Sequence, residues 1–161
     1  MEIGLVSDTH GLLRPEVLLA LDGCERVLHA GDVGAESILE GLRVLGPVHA
    51  VRGNTDHGEL ARSLPYTEMI EVAGVRIYMI HILEDLDLDP AGADVDVVVY
   101  GHTHRPKVEE RQGVLYVNPG SCGPRRFDLP VTVARLSVDG DAGLSVRLLP
   151  LTPDAGARDR G

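Results

Sequence analysis

The feature that most constrains the fold is an apolar run at residues 95–100, Val-Asp-Val-Val-Val-Tyr. Its β-branched, nearly continuous apolar character predicts a strand buried on both faces of a parallel-type sheet. Gly101 ends the run, and His102 and His104 follow it. Loops at the carboxyl edge of such a sheet carry ligands and chemistry. The two histidines therefore indicate either a metal site or a pair of solvated loop side chains.

Two earlier predicted strands end in a similar way. Residues 3–7 form a short apolar strand that stops at Asp8 and His10. Residues 26–30 form a second strand, which is followed by Gly31 and then Asp32. An aspartate and a histidine two residues apart offer a carboxylate oxygen and an imidazole nitrogen to a metal ion. Asp8 has an alternative interpretation as the N-cap of the helix that follows.

A third predicted strand, residues 48–52, ends in Gly53-Asn54. The asparagine either offers its amide oxygen to a ligand or simply occupies a left-handed turn conformation. Arg52, beside it, reaches either a phosphate or a carboxylate. His29 lies inside the second strand, and we interpret it as a hydrogen-bonded core histidine that supports the site rather than as a ligand.

The remaining pattern predicts the architecture. Apolar residues at helical spacing predict helices at residues 15–21 and 35–45, between the first three strands. From residue 66 the pattern alternates, and residues 67–80 are typical of an antiparallel hairpin that runs into His81. Further strands are predicted at residues 113–117, 129–138 and 144–151. Strand–helix–strand units followed by hairpins predict a two-sheet α/β sandwich.

Composition bounds the classes of protein that fit. The length predicts a single domain, residues 1–151, followed by a disordered tail at residues 152–161. The formal net charge of −10 argues against nucleic acid or an anionic membrane as the main partner. Cys24 and Cys122 form no C-x-x-C pattern, so no disulfide framework or cysteine zinc site is expected. No leader or membrane-spanning stretch is recognisable, so a cytoplasmic protein is expected.

Taken together, the predicted strand ends deliver seven oxygen or imidazole groups. A collection of this kind at strand ends favours a two-metal site. The donors are nitrogen and oxygen only, which suits manganese, iron, zinc, nickel or cobalt without choosing among them. The seven residues are Asp8, His10, Asp32, Asn54, His81, His102 and His104.

At these motifs the sequence resembles the calcineurin-like metallophosphoesterase superfamily. The five motifs occur in the order D-x-H at residues 8–10, G-D at 31–32, G-N at 53–54, a lone histidine at His81 and G-H-x-H at 101–104. The closer resemblance is to the small YfcE-like phosphodiesterases, which share G-N-x-D, G-H-T-H and N-P-G-S, the last at residues 118–121. The match spans roughly residues 2–151 and implies a four-layer αββα sandwich of two mixed β-sheets.

The resemblance implies a metal-dependent phosphodiesterase in which a hydroxide that bridges two divalent ions attacks a small phosphate ester. Manganese is the first expectation for the metal, with iron, zinc, nickel or cobalt as alternatives. One ion is expected to take Asp8, His10 and His104, the other Asn54, His81 and His102, with Asp32 bridging the two. The expected catalytic residues are Asp32, Asn54 and His102, and the expected substrate-binding residues are Asn54 and Arg125.

Two positions depart from the family's pattern. Many members have a histidine after the G-N asparagine, thought to assist the leaving group, whereas here Thr55 follows, with His57 nearby as a candidate substitute proton donor. Without a general acid, esters with good leaving groups should be favoured. His81 is followed by Ile82 where relatives commonly have glycine, and the short segment 82–96 is expected to lack a helix or a substrate-capping loop.

Two other functions stay open. The main alternative is a non-catalytic protein-interaction scaffold, since the retromer subunit of similar fold works as a platform; that subunit has lost metal-site residues that this sequence keeps. A nuclease of the same superfamily is disfavoured by the acidic charge and the lack of a basic stripe. The expected partners are a small phosphodiester and further copies of the chain in a homodimer or homotetramer, with neither a membrane nor nucleic acid.

Overall fold

A computed structural model describes residues 1–140 and 143–151. The predicted tail at residues 152–161 lies outside the described residues. In the first part of the chain, strands alternate with short helices. These elements are β1 (Glu2–Val6), α1 (Pro15–Ala20), β2 (Arg26–His29), α2 (Glu36–Leu42), β3 (Val48–Ala50) and α3 (Gly58–Ser63).

The second part is built mainly of strands. They are β4 (Thr67–Val72), β5 (Val75–Ile80), β6 (Val97–Val99), β7 (Lys107–Arg111), β8 (Val114–Asn118), β9 (Thr132–Asp139) and β10 (Gly143–Pro150), with a 3₁₀ helix at Leu83–Asp85. The predicted hairpin is confirmed, and the strand predicted at residues 95–100 is shorter than expected. Two elements were not predicted, the polar edge strand β7 and the six-residue helix α3.

The strands form two five-stranded sheets, in the orders β10-β9-β1-β2-β3 and β4-β5-β6-β8-β7. Within the first sheet β1, β2 and β3 are parallel, and within the second β5, β6 and β8 are parallel. The remaining strands, β9 and β10 in the first sheet and β4 and β7 in the second, pair antiparallel with their neighbours. The predicted α/β sandwich of two mixed sheets is confirmed.

The main core lies between the two sheets. Leu5 and Leu28 from the first sheet and Ile77, Met79 and Val97 from the second are fully buried in one cluster. This cluster holds no aromatic side chain among its buried described residues. Branched aliphatic side chains fill the space between the sheets, as the low aromatic content of 3% requires.

The outer faces of the two sheets are covered differently. All three α-helices pack on the first sheet, where Val17, Leu39 and Ala61 are buried. The second sheet presents three tyrosines outward, and the segment 82–95 covers them with one 3₁₀ helix and no α-helix. The outer layer beside His81 is therefore thin, as the short spacing predicted.

Cys24 and Cys122 are free and buried. Across the described residues, no helix has the length and apolar character that crossing a bilayer would require.

Candidate metal centre

Five strands deliver the seven predicted site residues to one edge of the sandwich. Three of these strands belong to the first sheet and two to the second. The residues are Asp8 and His10 after β1, Asp32 after β2, Asn54 after β3, His81 after β5, and His102 and His104 after β6. The structure brings all seven together, and both sheets contribute to the cluster.

Asp8 lies at the centre of the first group of donors. Its Oδ1 atom is 3.7 Å from His10 Nε2 and 3.4 Å from His104 Nε2. The two imidazole Nε2 atoms are 3.4 Å apart. Three donors that converge in this way can hold one cation. The alternative interpretation of Asp8 as a helix cap is wrong, because Arg14 is the N-cap residue of α1.

Asp32 lies between this group and the donors that follow β3, β5 and β6. Its Oδ2 atom is 3.7 Å from His10 Nε2 and 3.2 Å from His81 Nε2. Asp8 Oδ1 is also 3.9 Å from His81 Nε2, so Asp8, Asp32 and His81 form a second convergent set. The two carboxylates thus occupy the middle of the cluster.

Asn54 connects the remaining two histidines. Its Oδ1 atom is 3.0 Å from His81 Nε2 and 3.1 Å from His102 Nδ1. The alternative of a left-handed turn residue is wrong, because Asn54 does not have a positive φ. His81 Nδ1 lies 2.7 Å from the Ala30 carbonyl oxygen. Because a carbonyl oxygen only accepts hydrogen bonds, Nδ1 carries the proton and donates it. This bond directs His81 Nε2 into the cluster.

Burial and the neighbouring groups have opposite effects on the pKa values of the two carboxylates. Burial would raise the pKa of Asp8, but His104 and His81 hold it below its ordinary value. Burial would also raise the pKa of Asp32, but hydrogen bonds from His81 and the Thr55 N–H keep it well below the usual range. Burial lowers the pKa of His81, yet the two carboxylates raise it overall. Both carboxylates stay ionised and attract positive charge.

The donor atoms fit a divalent metal. Asp8 Oδ1 and His104 Nδ1 are buried without a hydrogen-bond partner among the described residues. Leaving buried polar atoms unpaired is costly. Asp8 Oδ1 has three imidazole nitrogens, from His10, His81 and His104, within 3.9 Å. A cation between these atoms would satisfy the carboxylate, and carboxylate and imidazole donors suit a transition metal.

Backbone conformation at the cluster is unusual. Five of the seven residues have positive φ, namely Asp8 (57°), His10 (45°), Asp32 (56°), His102 (75°) and His104 (63°). Side chains with a Cβ rarely adopt this region, and such strain concentrates at functional sites. With this backbone conformation, Asp8 and His10 of one loop both present a donor atom to the same group.

Two glycines of the motifs, Gly53 and Gly101, lie too close to neighbouring residues to allow a side chain. A Cβ atom on Gly53 would overlap the backbone and carboxylate of Asp32. A Cβ atom on Gly101 would overlap Ser7 Oγ and lie 2.8 Å from Asp8 Oδ2. Both glycines therefore let one loop pass directly against a carboxylate that another loop presents.

Asp56, the aspartate of G-N-x-D, has a role that the sequence did not reveal. Its Oδ2 accepts hydrogen bonds from the N–H groups of Gly53 at 2.9 Å and Val33 at 3.2 Å. Its Oδ1 accepts one from the N–H of Gly34 at 3.0 Å. One buried carboxylate thus joins the loop that carries Asp32 to the loop that carries Asn54.

We predict that Asp56→Ala lowers the free energy of unfolding by ~2–5 kcal/mol, because buried N–H groups lose their acceptor. Metal affinity should also fall, since both loops lose their common anchor. Urea unfolding and metal titration measure the two effects. The control Asp22→Ala removes an exposed carboxylate and should change stability by less than ~0.5 kcal/mol. Equal stability of the two variants would contradict the role of Asp56.

Asn118, from N-P-G-S, supports the histidine loop. Its Nδ2 donates to the Gly101 carbonyl at 3.2 Å and to Thr103 Oγ1 at 3.0 Å. Its Oδ1 accepts from the Gly120 N–H at 2.9 Å. The amide is fully buried, and it fixes the turn on which His102 stands.

Two further histidines have contrasting positions. His29 is fully buried, and burial lowers its pKa to about 4. Its Nδ1 accepts from the Gly31 N–H at 3.1 Å and its Nε2 lies 2.9 Å from Thr9 Oγ1, so it is a core histidine as predicted. His57 is exposed, and its Nδ1 lies 3.2 Å from the Thr55 carbonyl oxygen.

A cavity of about 330 Å³ opens beside the cluster. Two cluster residues, Asn54 and His81, line it together with Tyr66, Asp85 and Asp87. The predicted substrate-binding residue Arg125 is exposed and does not line this cavity.

Comparison with known proteins identifies related sequences. Residues 1–141 match the model of the calcineurin-like phosphoesterase superfamily domain. The chain is 33% identical to a probable metallophosphoesterase of Methanocaldococcus jannaschii, over 94% of this chain and 82% of that protein. It is 31% identical to the phosphodiesterase YfcE of Escherichia coli, over 86% of this chain and 89% of that protein.

Solved structures agree on the fold. The structure of E. coli YfcE, described as a phosphoesterase, is 25% identical and matches with a TM-score of 0.67 over 94% of this chain and 100% of that chain. Vps29 of Chaetomium thermophilum is 22% identical and matches with a TM-score of 0.80 over 99% and 93% of the two chains. At that identity, the likeness to Vps29 shows the fold alone. With the sequence matches and the assembled cluster, these findings show that the chain belongs to the calcineurin-like metallophosphoesterase superfamily.

Proposed function

We propose that this protein is a metal-dependent phosphodiesterase that hydrolyses a small phosphate diester. The observation that carries the proposal is Asp8 Oδ1, a buried carboxylate oxygen without a hydrogen-bond partner among the described residues and with three imidazole nitrogens within 3.9 Å. Relatives named as phosphodiesterases support the same class of reaction. We further propose that residues 1–151 form one domain.

The two groups of donors support a site for two ions. Asp8, His10 and His104 would hold one ion, and Asn54, His81 and His102 the other, with Asp32 placed between them. When bound, the ions would lower the pKa of a water and offset negative charge on the phosphoryl oxygens. Manganese is the first candidate, and the nitrogen and oxygen donors also suit iron, zinc, nickel or cobalt.

The overall reaction consumes one water. Its oxygen forms a bond to phosphorus, the bond from phosphorus to one alcohol oxygen breaks, and a proton ends on that alcohol. Asn54 and His102 stand at the open side of the cluster, where they can contact the phosphoryl group. Asp32 contributes by holding its neighbours in place, since its Oδ1 accepts the Thr55 N–H.

The segment after Cys122 supplies positive charge beside the cluster. Burial lowers the pKa of His10, and the positive charge of Arg126 acts in the same direction. Arg125 precedes it and is exposed. We propose that Arg125 helps to bind the anionic substrate against the net charge of −10.

The test is hydrolysis of bis-p-nitrophenyl phosphate by protein stripped of metal and then titrated with manganese, nickel, zinc or magnesium, beside the p-nitrophenyl monoester. We expect diester turnover that depends on a transition metal. A protein that binds no metal and hydrolyses neither ester would instead support the scaffold alternative.

We predict a strong dependence of the rate on the leaving group. The position after Asn54 is Thr55, whose side chain is no general acid near neutral pH, and His57 is exposed beside the Thr55 carbonyl. An alkyl diester, which needs protonation on departure, should react at least ~10²-fold more slowly than an activated aryl diester, in line with the ~10²–10⁴-fold that general acids contribute. A series of aryl and alkyl diesters of graded alcohol pKa measures this. Rates independent of leaving-group pKa would show that a proton donor is present, and His57→Ala would then test whether it is His57.

A further inference from the structure

The cavity beside the cluster is placed to receive the alcohol part of a diester. Asn54 and His81 belong both to the metal-binding cluster and to the wall of the cavity. A phosphoryl group at the cluster would therefore direct one of its ester substituents into this space. The volume of about 330 Å³ lies at the low end of the ~300–1,000 Å³ typical of small-ligand sites.

One wall of the cavity is flat and aromatic. The Tyr66 side chain is 67% exposed, so a ligand in the cavity can reach its ring. The Arg52 guanidinium lies over this ring, 4.7 Å from its centroid, and restrains its orientation. Ile80 and Ile82 supply apolar surface in the same cavity. A flat, largely apolar group fits between these surfaces.

Two carboxylates also line the cavity. Asp85 and Asp87 are exposed, and their side chains contact no cation among the described residues. Carboxylates in the wall of a cavity accept hydrogen bonds from N–H groups and repel anions. An alcohol that ends in a second phosphate is therefore disfavoured, and a ring that bears an amino group is favoured.

The geometry points to a single nucleoside as the group held in this cavity. On this inference, which rests on the proposed phosphodiesterase function, the base lies against Tyr66 and its amino group donates to Asp85 or Asp87. Aromatic rings bind bases by stacking, and aspartate accepts from exocyclic amino groups. The cavity volume suits one nucleoside, and the net charge of −10 argues against a polynucleotide. The substrate class is thus a mononucleoside phosphodiester.

The experiment compares two p-nitrophenyl esters with the same leaving group, one of methyl phosphate and one of adenosine 5′-phosphate. We expect the wild-type protein to favour the adenosine ester in kcat/KM, and Tyr66→Ala to reduce the ratio of the two values by ~10-fold. Tyr66→Phe, which keeps the ring, should preserve the ratio. The double variant Asp85→Asn and Asp87→Asn should accept an ester of an alcohol with a terminal phosphate more readily than the wild type.

Glu84→Gln is the matched control, because Glu84 is an exposed acid of the same 3₁₀ helix that does not line the cavity. It should leave both ratios unchanged. No preference for the adenosine ester, or a preference that survives Tyr66→Ala, would overturn the inference while hydrolysis of the methyl ester still supports the proposed function.

If neither ester is hydrolysed, the proposed function fails, and the cavity is tested by binding alone. Saturation-transfer NMR of adenosine with the wild type and with Tyr66→Ala then decides. Binding that Tyr66→Ala abolishes supports a base site, and absence of binding overturns it.

Discussion

Replacing Asp32 with alanine is expected to abolish both metal binding and hydrolysis. Its Oδ2 atom is 3.7 Å from His10 Nε2 and 3.2 Å from His81 Nε2, so it adjoins both groups of donors. Its Oδ1 accepts the Thr55 N–H, so the loop that carries Asn54 is also released. The loss of metal affinity should exceed the ~10–100-fold that removal of an outer hydrogen-bond partner typically costs.

Metal content per chain after dialysis, and titration calorimetry with manganese, measure this effect. Asp22→Ala, which removes an exposed carboxylate that is not one of the seven site residues, controls for the change of charge. Two ions retained with unchanged affinity in Asp32→Ala would show that the carboxylate does not bridge the two groups.

Removal of metal is expected to lower the melting temperature strongly. The apo cluster holds two ionised, buried carboxylates, and five of its seven residues have a strained backbone. Ions that bind only the folded state stabilise it by ~2.7 kcal/mol each at a concentration 100-fold above Kd. For a chain of this size, each kcal/mol shifts Tm by ~2–4 °C, so two ions should add ~10–20 °C.

Thermal unfolding followed by circular dichroism, with chelator and then with added manganese, tests this prediction. Asp32→Ala should show little metal-dependent shift, because it lacks the central ligand. A wild-type Tm that is the same with chelator and with saturating metal would contradict the proposed centre.

The strand positions follow from the sequence wherever strands are buried on both faces. β6 is an example, since all three of its residues are buried between parallel neighbours. β7 shows the limit. Its residues are mostly exposed and it pairs only with β8, so its polar pattern carries no signal of a strand. α3 has only two apolar side chains, Leu60 and Ala61, so its sequence shows no apolar face at helical spacing.

In the candidate site, the donor residues were predictable from the sequence. Each donor follows a strand, so its position along the chain indicates which edge of a sheet it occupies. The roles of Asp56 and the cavity were not predictable. Asp56 acts by joining two loops, and the cavity wall combines Tyr66 with Asp85, which meet only in the folded chain. Contacts between loops that are distant in the sequence depend on where the fold places those loops, which no local sequence pattern indicates.

The contribution of both sheets to one cluster has a mechanical consequence. Asp8 belongs to the first sheet and His81 to the second, so the thickness of the aliphatic layer between the sheets sets the distance between them. Ile77 and Met79 are fully buried in that layer and are not among the seven site residues, so their volume helps to set this distance. A substitution that changes the volume of Ile77 or Met79 is therefore expected to change the separation of Asp8 and His81, with every site residue left in place.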